Sequence, residues 1–444
     1  MNPFRLLPLA LALSGALATN AQAQSLSELY QSARGYDAAY QSARSQYDAN
    51  LAKADQAKAL ILPTAGLSAG ASRSEFENTV PAAPSQNYSR AYGTQSATLS
   101  ASQPLYRPVN QASYQQGRKQ VELAQAQLEA AEQDLIVRVS QAYFDVLAAK
   151  DSLTFVQAQK AAVAEQLAAA KRNFEVGTTT ITDQREAQSS YDLVTAQEIT
   201  ASNDLRVKHI ALDQLVGKDA TAPKPLLLPV ALPAMKPDDA NTWVQQALER
   251  HPSVTQYQVA LDVAKLETEK AQAGHKPTVD LVASYGITNN TASASVGGSY
   301  RTNVGTLGVQ LSLPLFAGYS IQNRVRETIA LEEKARTDLE GARRAVAQST
   351  RTAYFGVISG LSVVKAYEAA ETSSQSALDA NKLGYQVGVR INIDVLNSQS
   401  QLFDTKAKLA KARYDVLTGG LKLRQANGTL KLDDLSAITA LLAK

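Results

Sequence analysis

The sequence predicts an α+β membrane protein in which several chains share one β-barrel that is continued by long antiparallel coiled-coil helices. Three observations predict it. Four stretches alternate apolar and small polar residues over the length of a membrane strand. Two very long stretches are almost free of helix breakers and carry apolar residues at steps of three and four. Both kinds of stretch occur twice, in the same order, as an internal two-fold repeat.

Residues 1–23 read as a secretory signal peptide. Arg5 supplies the positive end, Leu6 to Leu17 form a short apolar stretch, and Ala21-Gln22-Ala23 gives the small-x-small cleavage pattern. That stretch is shorter than the ~20 residues of a spanning helix. The mature chain is expected to begin near Gln24, without an N-terminal lipid anchor because that residue is not cysteine. No later segment reads as a transmembrane helix, since the most apolar one, Leu226-Leu227-Leu228-Pro229-Val230, is flanked by prolines. A β-barrel stays open, because its strands alternate and never form a long apolar run.

Each repeat is expected to run helix, β-hairpin, long helix, return helix. In residues 24–217, Ala65, Leu67, Ala69 and Ala71 alternate with Gly66, Ser68, Gly70 and Ser72, and Ala97, Leu99 and Ala101 alternate with Ser96 to Ser102. In residues 241–428, Val279, Leu281, Ala283, Tyr285 and Ile287 form one apolar row. Leu307, Val309, Leu311 and Leu313 form another, facing Thr306, Gly308, Gln310 and Ser312. These are four strands of about ten residues, enough to cross a bilayer when tilted. Their polar face is small and uncharged, which suits a lumen, and the polar stretches Ser74–Arg90 and Asn289–Thr302 are expected as external loops. Tyr106 and Phe316 follow Pro-Leu pairs where aromatic residues mark a membrane interface.

From Val109 to Val176 there is no proline and one glycine, and Leu128, Ala131, Leu135, Val139, Ala142, Val146, Ala149, Leu153 and Val156 make a heptad-like seam. Such a helix reaches roughly 100 Å at 1.5 Å per residue. Tyr319 to Val387 matches it. Gly177 and Gly388 turn each long helix into a return helix, Asp183–Val216 and Asp394–Ala426, giving two antiparallel hairpins. The repeat itself is read from recurring anchors. Ala142-Tyr143-Phe144 returns as Ala353-Tyr354-Phe355, Phe174-x-Val176-Gly177 as Tyr385-x-Val387-Gly388, Asp183 as Asp394 and Gly217 as Gly428. Residues 218–240 are a proline-rich linker between the halves, Trp243 beyond it suits core packing, and residues 429–444 are expected as a separate C-terminal segment.

The 444 residues carry 44 Lys+Arg against 41 Asp+Glu, a net charge of +3, so no basic face for nucleic acid is expected. There is no cysteine, and the three histidines are too far apart for a metal site, so no metal and no cofactor is expected. No Walker lysine loop, no Gly-x-Ser-x-Gly and no His-Glu-x-x-His occurs, and the chain is not expected to be an enzyme. Four strands cannot close, and an open edge in lipid leaves backbone groups unpaired, so several protomers must contribute to one barrel. Two would fill its interior with side chains and three would leave a lumen. A non-conducting coiled-coil periplasmic scaffold or adhesin would explain the helices, but not the paired bilayer-length strands.

The residues resemble the TolC family of outer-membrane efflux ducts over the mature chain, from Leu26 to about Leu435. The most specific pieces are Ala142 to Leu147, Thr154–Lys160, Arg172-Asn173-Phe174-Glu175-Val176-Gly177 with Ile181-Thr182-Asp183, and Tyr385-Gln386-Val387-Gly388-Val389-Arg390 with Asp394-Val395-Leu396. The resemblance implies a homotrimer with a twelve-stranded barrel in outer-membrane lipid and a twelve-helix tunnel through the periplasm. It also implies docking to a periplasmic adaptor (membrane fusion) protein and to an inner-membrane efflux pump or ABC exporter. Export of drugs, small molecules or proteins would follow iris-like untwisting of the hairpins.

The same resemblance places Asp394 in a pore constriction as a ring of symmetry-related carboxylates, with Asn397 where a second aspartate is common. It gives Tyr385 and Arg390 the task of locking the entrance against the neighbouring hairpin, with Thr182, Asp183 and Gln166 as partners. Lys382 departs from the usual acidic residue of that network. Gly177 and Gly388 are the turns that adaptor tips would engage. Read as local structure alone, an aspartate at such a position caps its helix, and capping is the expected role of Asp183.

Overall fold

A computed structural model describes residues 24–443 except 80, 228, 231, 233 and 234, so the signal peptide expected over residues 1–23 lies outside the described residues. The chain folds into two compact units that each draw on both repeats. One takes residues up to 43, 128–254 and 343–444, and the other takes 44–127 and 255–342.

The second unit holds the sheet. Strands β1 (Thr64–Asn78), β2 (Tyr88–Tyr106), β3 (Thr278–Asn290) and β4 (Tyr300–Ser312) lie in the order β1-β2-β3-β4, each antiparallel to the next. Register aligns the two faces across all four strands. Leu67 sits opposite Leu99 and Leu99 opposite Tyr285, while Ala101 faces Ala283 and Ala283 faces Leu307. One face is therefore a continuous apolar surface, and it is unburied, with Leu307 77% exposed. The other face carries Gly66, Ser100, Ser284 and Thr306 in one row and Ser68, Thr98, Gly286 and Val304 in the next, and Asp280 and Val282 also lie on it, so the expected small, uncharged face is interrupted at these positions. At the foot of the sheet Arg107 binds Asp280 through two bonds of 2.7 and 2.6 Å, a bidentate pair that fixes the end of β2 beside the start of β3.

The strands outrun the expected ten residues, covering 15 positions in β1 and 19 in β2. Ser74–Asn78 and Tyr88–Arg90, expected as loop, continue the ladder, and so do Asn289–Asn290 and Tyr300–Thr302. Polarity suggested loop there, but cross-strand pairing decides: Phe76 and Tyr88 pack their rings 5.9 Å apart, and the backbone bonds continue beneath them. Phe316 falls beyond the end of β4, whereas Tyr106 closes β2.

The expected leading helix is two helices in each half. In the first, α1 (Leu26–Tyr36) stops at Asp37 and α2 (Ala38–Ala59) follows; in the second, α5 (Ala240–Arg250) stops at His251 and α6 (Pro252–Ala273) follows. Pro252 explains the second break, since proline suits the first position of a helix. At the first, the Asp37 carboxylate accepts from the Tyr40 amide and takes a two-bond clasp from Arg138 of α3 (Pro108–Glu175). The Arg138 bonds hold the Asp37 carboxyl below the usual carboxylate range. The long helix α3 and its counterpart α7 (Ser320–Gln386) have the expected bounds to within two residues, as do the return helices α4 (Ile181–Val216) and α8 (Asn392–Ala426).

In the first unit the core gathers around the middle of α3. Leu135, Val139 and Val146 of the seam are buried, but so are Ile136, Tyr143, Phe144 and Leu147, because α1, α4, α8 and the short α9 (Leu432–Thr439) supply partners on several sides. The repeated Tyr of Ala-Tyr-Phe has one task in both halves. The Tyr143 hydroxyl donates to the Lys224 carbonyl at 2.9 Å and the Tyr354 hydroxyl to the Asp238 carboxylate at 3.1 Å, so the two tyrosines pin opposite ends of the linker. Burial raises the pKa of Tyr143, which stays a neutral donor. The repeated Phe diverges: Phe144 stacks on Tyr414, 5.7 Å between centroids, while Phe355 is exposed. Trp243 is buried beside Tyr354, Val357 and Leu423 and donates to the Pro237 carbonyl.

Each return helix ends in a left-handed glycine packed against the elbow of the helix pair in its own half. A Cβ on Gly217 would fall 2.4 Å from the Tyr36 ring, and one on Gly428 would fall 2.5 Å from the His251 Cα and 2.8 Å from the Arg250 carbonyl oxygen. Backbone cannot step aside as a side chain can. Gly428→Ala is expected to destabilise this unit by about 3 kcal/mol through overpacking and a positive-φ alanine. Thermal unfolding followed by the fluorescence of the single tryptophan checks it, with a lower midpoint than the parent protein expected.

Candidate functional site at the helix-hairpin tips

Both hairpins turn through a left-handed glycine, Gly177 at φ 75° and Gly388 at φ 80°. The closing bonds are alike: Thr178 donates its amide to the Asn173 carbonyl at 2.9 Å, and Val389 donates to the Gly384 carbonyl at 2.9 Å. Nothing stands within 4 Å of where a Cβ would project from either glycine, so both turns face open space. Val176, Ile181, Val387, Val389 and Ile391 around them are all exposed.

The two return helices begin at equivalent positions with different chemistry. On α4 the N-cap is Thr180, whose hydroxyl accepts from the Asp183 amide, while the Asp183 carboxylate accepts from the Thr180 amide and from both the Thr179 and Thr180 hydroxyls. This is a complete capping box. These bonds, the Thr179 one foremost, hold the Asp183 carboxyl below its usual range. On α8 the N-cap is Ile391, which has no side chain to accept a bond. Asp394, three residues on, caps nothing, and its carboxylate stands 3.6 Å from the Arg390 guanidinium. The repeat thus keeps an aspartate at both tips but commits only one of them to its helix.

Arg390 lies along its own hairpin, its stem filling the space a Cβ on Gly384 would need. Tyr385 packs on Leu378, Val395 and Leu402. Thr182 and Lys382 are exposed, and Gln166 is half-buried on α3. Among the described residues no hydrogen bond or ion pair joins Tyr385 or Arg390 to Thr182, Asp183 or Gln166. Asn397 is exposed one turn beyond Asp394.

Sequence reasoning missed the seam between the hairpins. Leu396 and Ile393 of α8 pack into the group formed by Val163, Leu167 and Ala170 of α3 and Ala187 and Val194 of α4. Within the buried stripe of α8 lie Asn392, 1% exposed, and Gln399, 2% exposed. Asn392 donates to the Asp183 carbonyl at 3.5 Å, but the Asn392 Oδ1 and Gln399 Oε1 acceptors have no partner. The three-and-four spacing of Asn392, Leu396, Gln399 and Leu402 was the available signal, a seam with polar residues at every second step.

The difference between the caps is testable. Asp183→Ala is expected to weaken the start of α4 by about 1 kcal/mol, the worth of a capping box, while Asp394→Ala, which removes no cap bond, costs α8 only about 0.3–0.5 kcal/mol of dipole interaction. Because folding lowers the Asp183 pKa, its contribution is present at neutral pH and lost as pH falls through the folded value. Amide exchange of residues 181–186 and 392–397 in both variants, at neutral and acidic pH, checks it.

Comparison with known proteins bears on the chain as a whole. The profile of a family described as outer membrane efflux protein matches residues 29–218 and 243–429. The chain is 32% identical over 440 residues to the outer membrane protein TolC of Vibrio cholerae, covering 98% of each chain. It is 31% identical over 353 residues to the alkaline protease secretion protein AprF of Pseudomonas aeruginosa, covering 79% of this chain and 73% of that one. Among solved structures, the outer membrane protein VceC of Vibrio cholerae superposes with a TM-score of 0.77 at 19% identity, over 91% of this chain and 96% of that one. A mostly helical chain with four strands, matched along nearly its whole length, belongs to the outer membrane efflux protein family, the TolC family of channels.

Proposed function

We propose that the chain forms a homotrimeric export duct with a twelve-stranded barrel and a twelve-helix tunnel, gated at its helix tips by Asp394 and Arg390. Its place is the outer membrane of a Gram-negative bacterium, as for its family. The observation that carries the reading is the sheet: bilayer-length strands, apolar on one face, small and polar on the other, and unpaired along the outer edges of β1 and β4. Apolar side chains face lipid, Gly, Ser and Thr line a lumen, and neighbouring copies cover the edges.

The helices support the same assembly. In one chain Phe144 of α3 stacks on Tyr414 of α8, whereas its counterpart Phe355 on α7 is exposed, and so are Leu193, Ile199, Val207 and Ile210 on α4. A repeat whose first long helix meets the second return helix within the chain leaves its second long helix to meet the first return helix of the next copy. Such a contact is head-to-tail and closes into a ring. Three copies fit the family and give enough strands for an open lumen.

At the tips, three copies would bring three Asp394 carboxylates to one axis, a ring suited to cations, with Asn397 lining the next turn as a neutral group. Arg390 lies close enough to temper that charge and to be drawn elsewhere. All described bonds of the Asp183 carboxylate fall on Oδ2, which leaves Oδ1 to accept from Arg390 or Tyr385 of a neighbouring copy. Thr182 and Gln166 extend that surface, and Lys382 replaces an acidic partner with a cation, so this lock is weaker than one built with two carboxylates. Opening is an iris-like swing of the α7–α8 hairpin away from α3 and α4. Asn392 and Gln399 ease it, because a buried unpaired acceptor costs about 1–3 kcal/mol and regains water when the seam parts.

Gly177, Gly388 and the exposed apolar residues beside them are the docking surface for a periplasmic adaptor, with an inner-membrane pump or ABC exporter behind it. Energy comes from that pump, and the duct is passive. Small molecules and secreted proteins are both cargo classes that such a lumen admits.

Planar-bilayer recording tests the reading. The purified protein is expected to give a small cation-selective conductance that multivalent cations block from the periplasmic side. Asp394→Ala is expected to conduct but to lose the block; pores with unchanged block overturn the gate, and folded protein without pores overturns the duct.

A further inference from the structure

At the outer end of the sheet the small-residue face changes character. Alternation along β2 places Tyr88, Arg90 and Tyr92 on the face of Ser96, Thr98 and Ser100, and register places Phe76 opposite Arg90 on that face. Large aromatic and cationic side chains thus end a wall lined mostly by glycine, serine and threonine, with Val282 and Val304 among them. The segment between β3 and β4 does not stand away from them. The Tyr88 hydroxyl donates to the Ala294 carbonyl at 2.8 Å, and the Arg90 guanidinium donates to the Ser293 carbonyl at 2.9 Å. Arg90 also lies over the Tyr88 ring, 5.5 Å from its centroid, and would be 3.5 Å from a Cβ on Gly297.

The segment has a shape of its own. Ser293 donates its amide to the Val296 carbonyl at 2.8 Å, the Val296 amide donates back to the Ser293 hydroxyl at 3.0 Å, and Ala292 is buried under this turn. Around it, Ser295, Gly297, Gly298 and Ser299 have little side chain to anchor. We infer that residues 291–299 are a lid over the outer mouth of the lumen, latched by Arg90 and Tyr88. The inference rests on the duct reading, which makes this face the lumen. Thr291 ties one end of the segment to β2, its amide donating to the Gly93 carbonyl at 2.9 Å and its hydroxyl accepting from the Gly93 amide at 2.8 Å, and serves as the hinge. Beyond it both latch bonds end on backbone carbonyls, so the rest of the lid is held by its path rather than by its side chains and swings on that hinge once those two bonds are released. The latch lies at the opposite end of the strands from Arg107 and Asp280.

Because the chain has no cysteine, single introduced thiols report on the lumen cleanly. Ser96→Cys places a reporter on the small-residue face and Leu99→Cys places a control on the apolar face. Whole cells carrying the full-length duct are treated from outside with a small charged maleimide and with a bulky polyethylene-glycol maleimide. With the latch intact, the small reagent is expected to label Ser96→Cys and the bulky one to label it slowly. Arg90→Ala with Tyr88→Phe is expected to raise the bulky rate about tenfold or more, as loss of a charged-donor hydrogen bond does to an open population, with the small-reagent rate unchanged. Tyr88→Phe alone, which keeps the ring and removes only the hydroxyl, is expected to give a smaller rise. Equal bulky rates in parent and latch variants overturn the lid and leave the duct standing. A Ser96→Cys thiol that resists even the small reagent in every background overturns the duct reading itself, and the lid with it.

Discussion

Everything in this chain answers to one constraint: a backbone N–H or C=O facing lipid must find a partner, and the sheet leaves two rows of them without one. Among the described residues, the outer edges of β1 and β4 pair with nothing. In water such edges are a hazard; in hydrocarbon each unpaired group costs several kcal/mol, and the strand does not insert. In the proposed assembly, closure by further copies removes the cost and fixes the symmetry. A contact between unlike edges repeats head to tail around a ring, and the duplicated sequence lets the helices follow it, since the surface that one half offers is the surface that the other half receives.

The duplication also shows how a repeat acquires function by small departures. Tyr143 and Tyr354 keep one task, pinning the linker from either end. Phe144 is covered within the chain and Phe355 is left exposed. Asp183 and Asp394 are the clearest case. Thr180 holds the first in a capping box, and Ile391 releases the second, so one substitution at an N-cap turns a structural carboxylate into an available charge. The helix that loses its cap is also the one with orphaned acceptors in its seam, at Asn392 and Gln399. Marginal anchoring of a single hairpin is what a gate requires, while the glycine-packed elbows at Gly217 and Gly428 keep the ends of the return helices fixed.

Much of this was legible in the sequence because the signals were periodic. Alternation placed the cores of four strands, proline-free heptad spacing placed both long helices, and two glycines placed their turns. The outer strand ends were not legible, since Ser74–Asn78 and Tyr88–Arg90 are polar and owe their conformation to cross-strand pairing rather than to burial. Nor was the break at Asp37, where no proline stands and an arginine a hundred residues away supplies the partner. The α3 seam was read as one stripe, but its middle is buried on several sides because α1 and α9 come from the two ends of the chain. At the tips the residue types were visible and their partners were not. Distinguishing a capping aspartate from one paired with an arginine instead required knowing which residue three positions earlier could accept a bond.

The most direct test of the central claim is the mass of the folded protein extracted from membranes in mild detergent, measured by light scattering with the detergent contribution removed. Closure by copies predicts a single species of three chains that Phe355→Asp, on an exposed helix face, drives apart together with the loss of its sheet signal in circular dichroism. A folded single chain that keeps its sheet in detergent and conducts in a bilayer would contradict it.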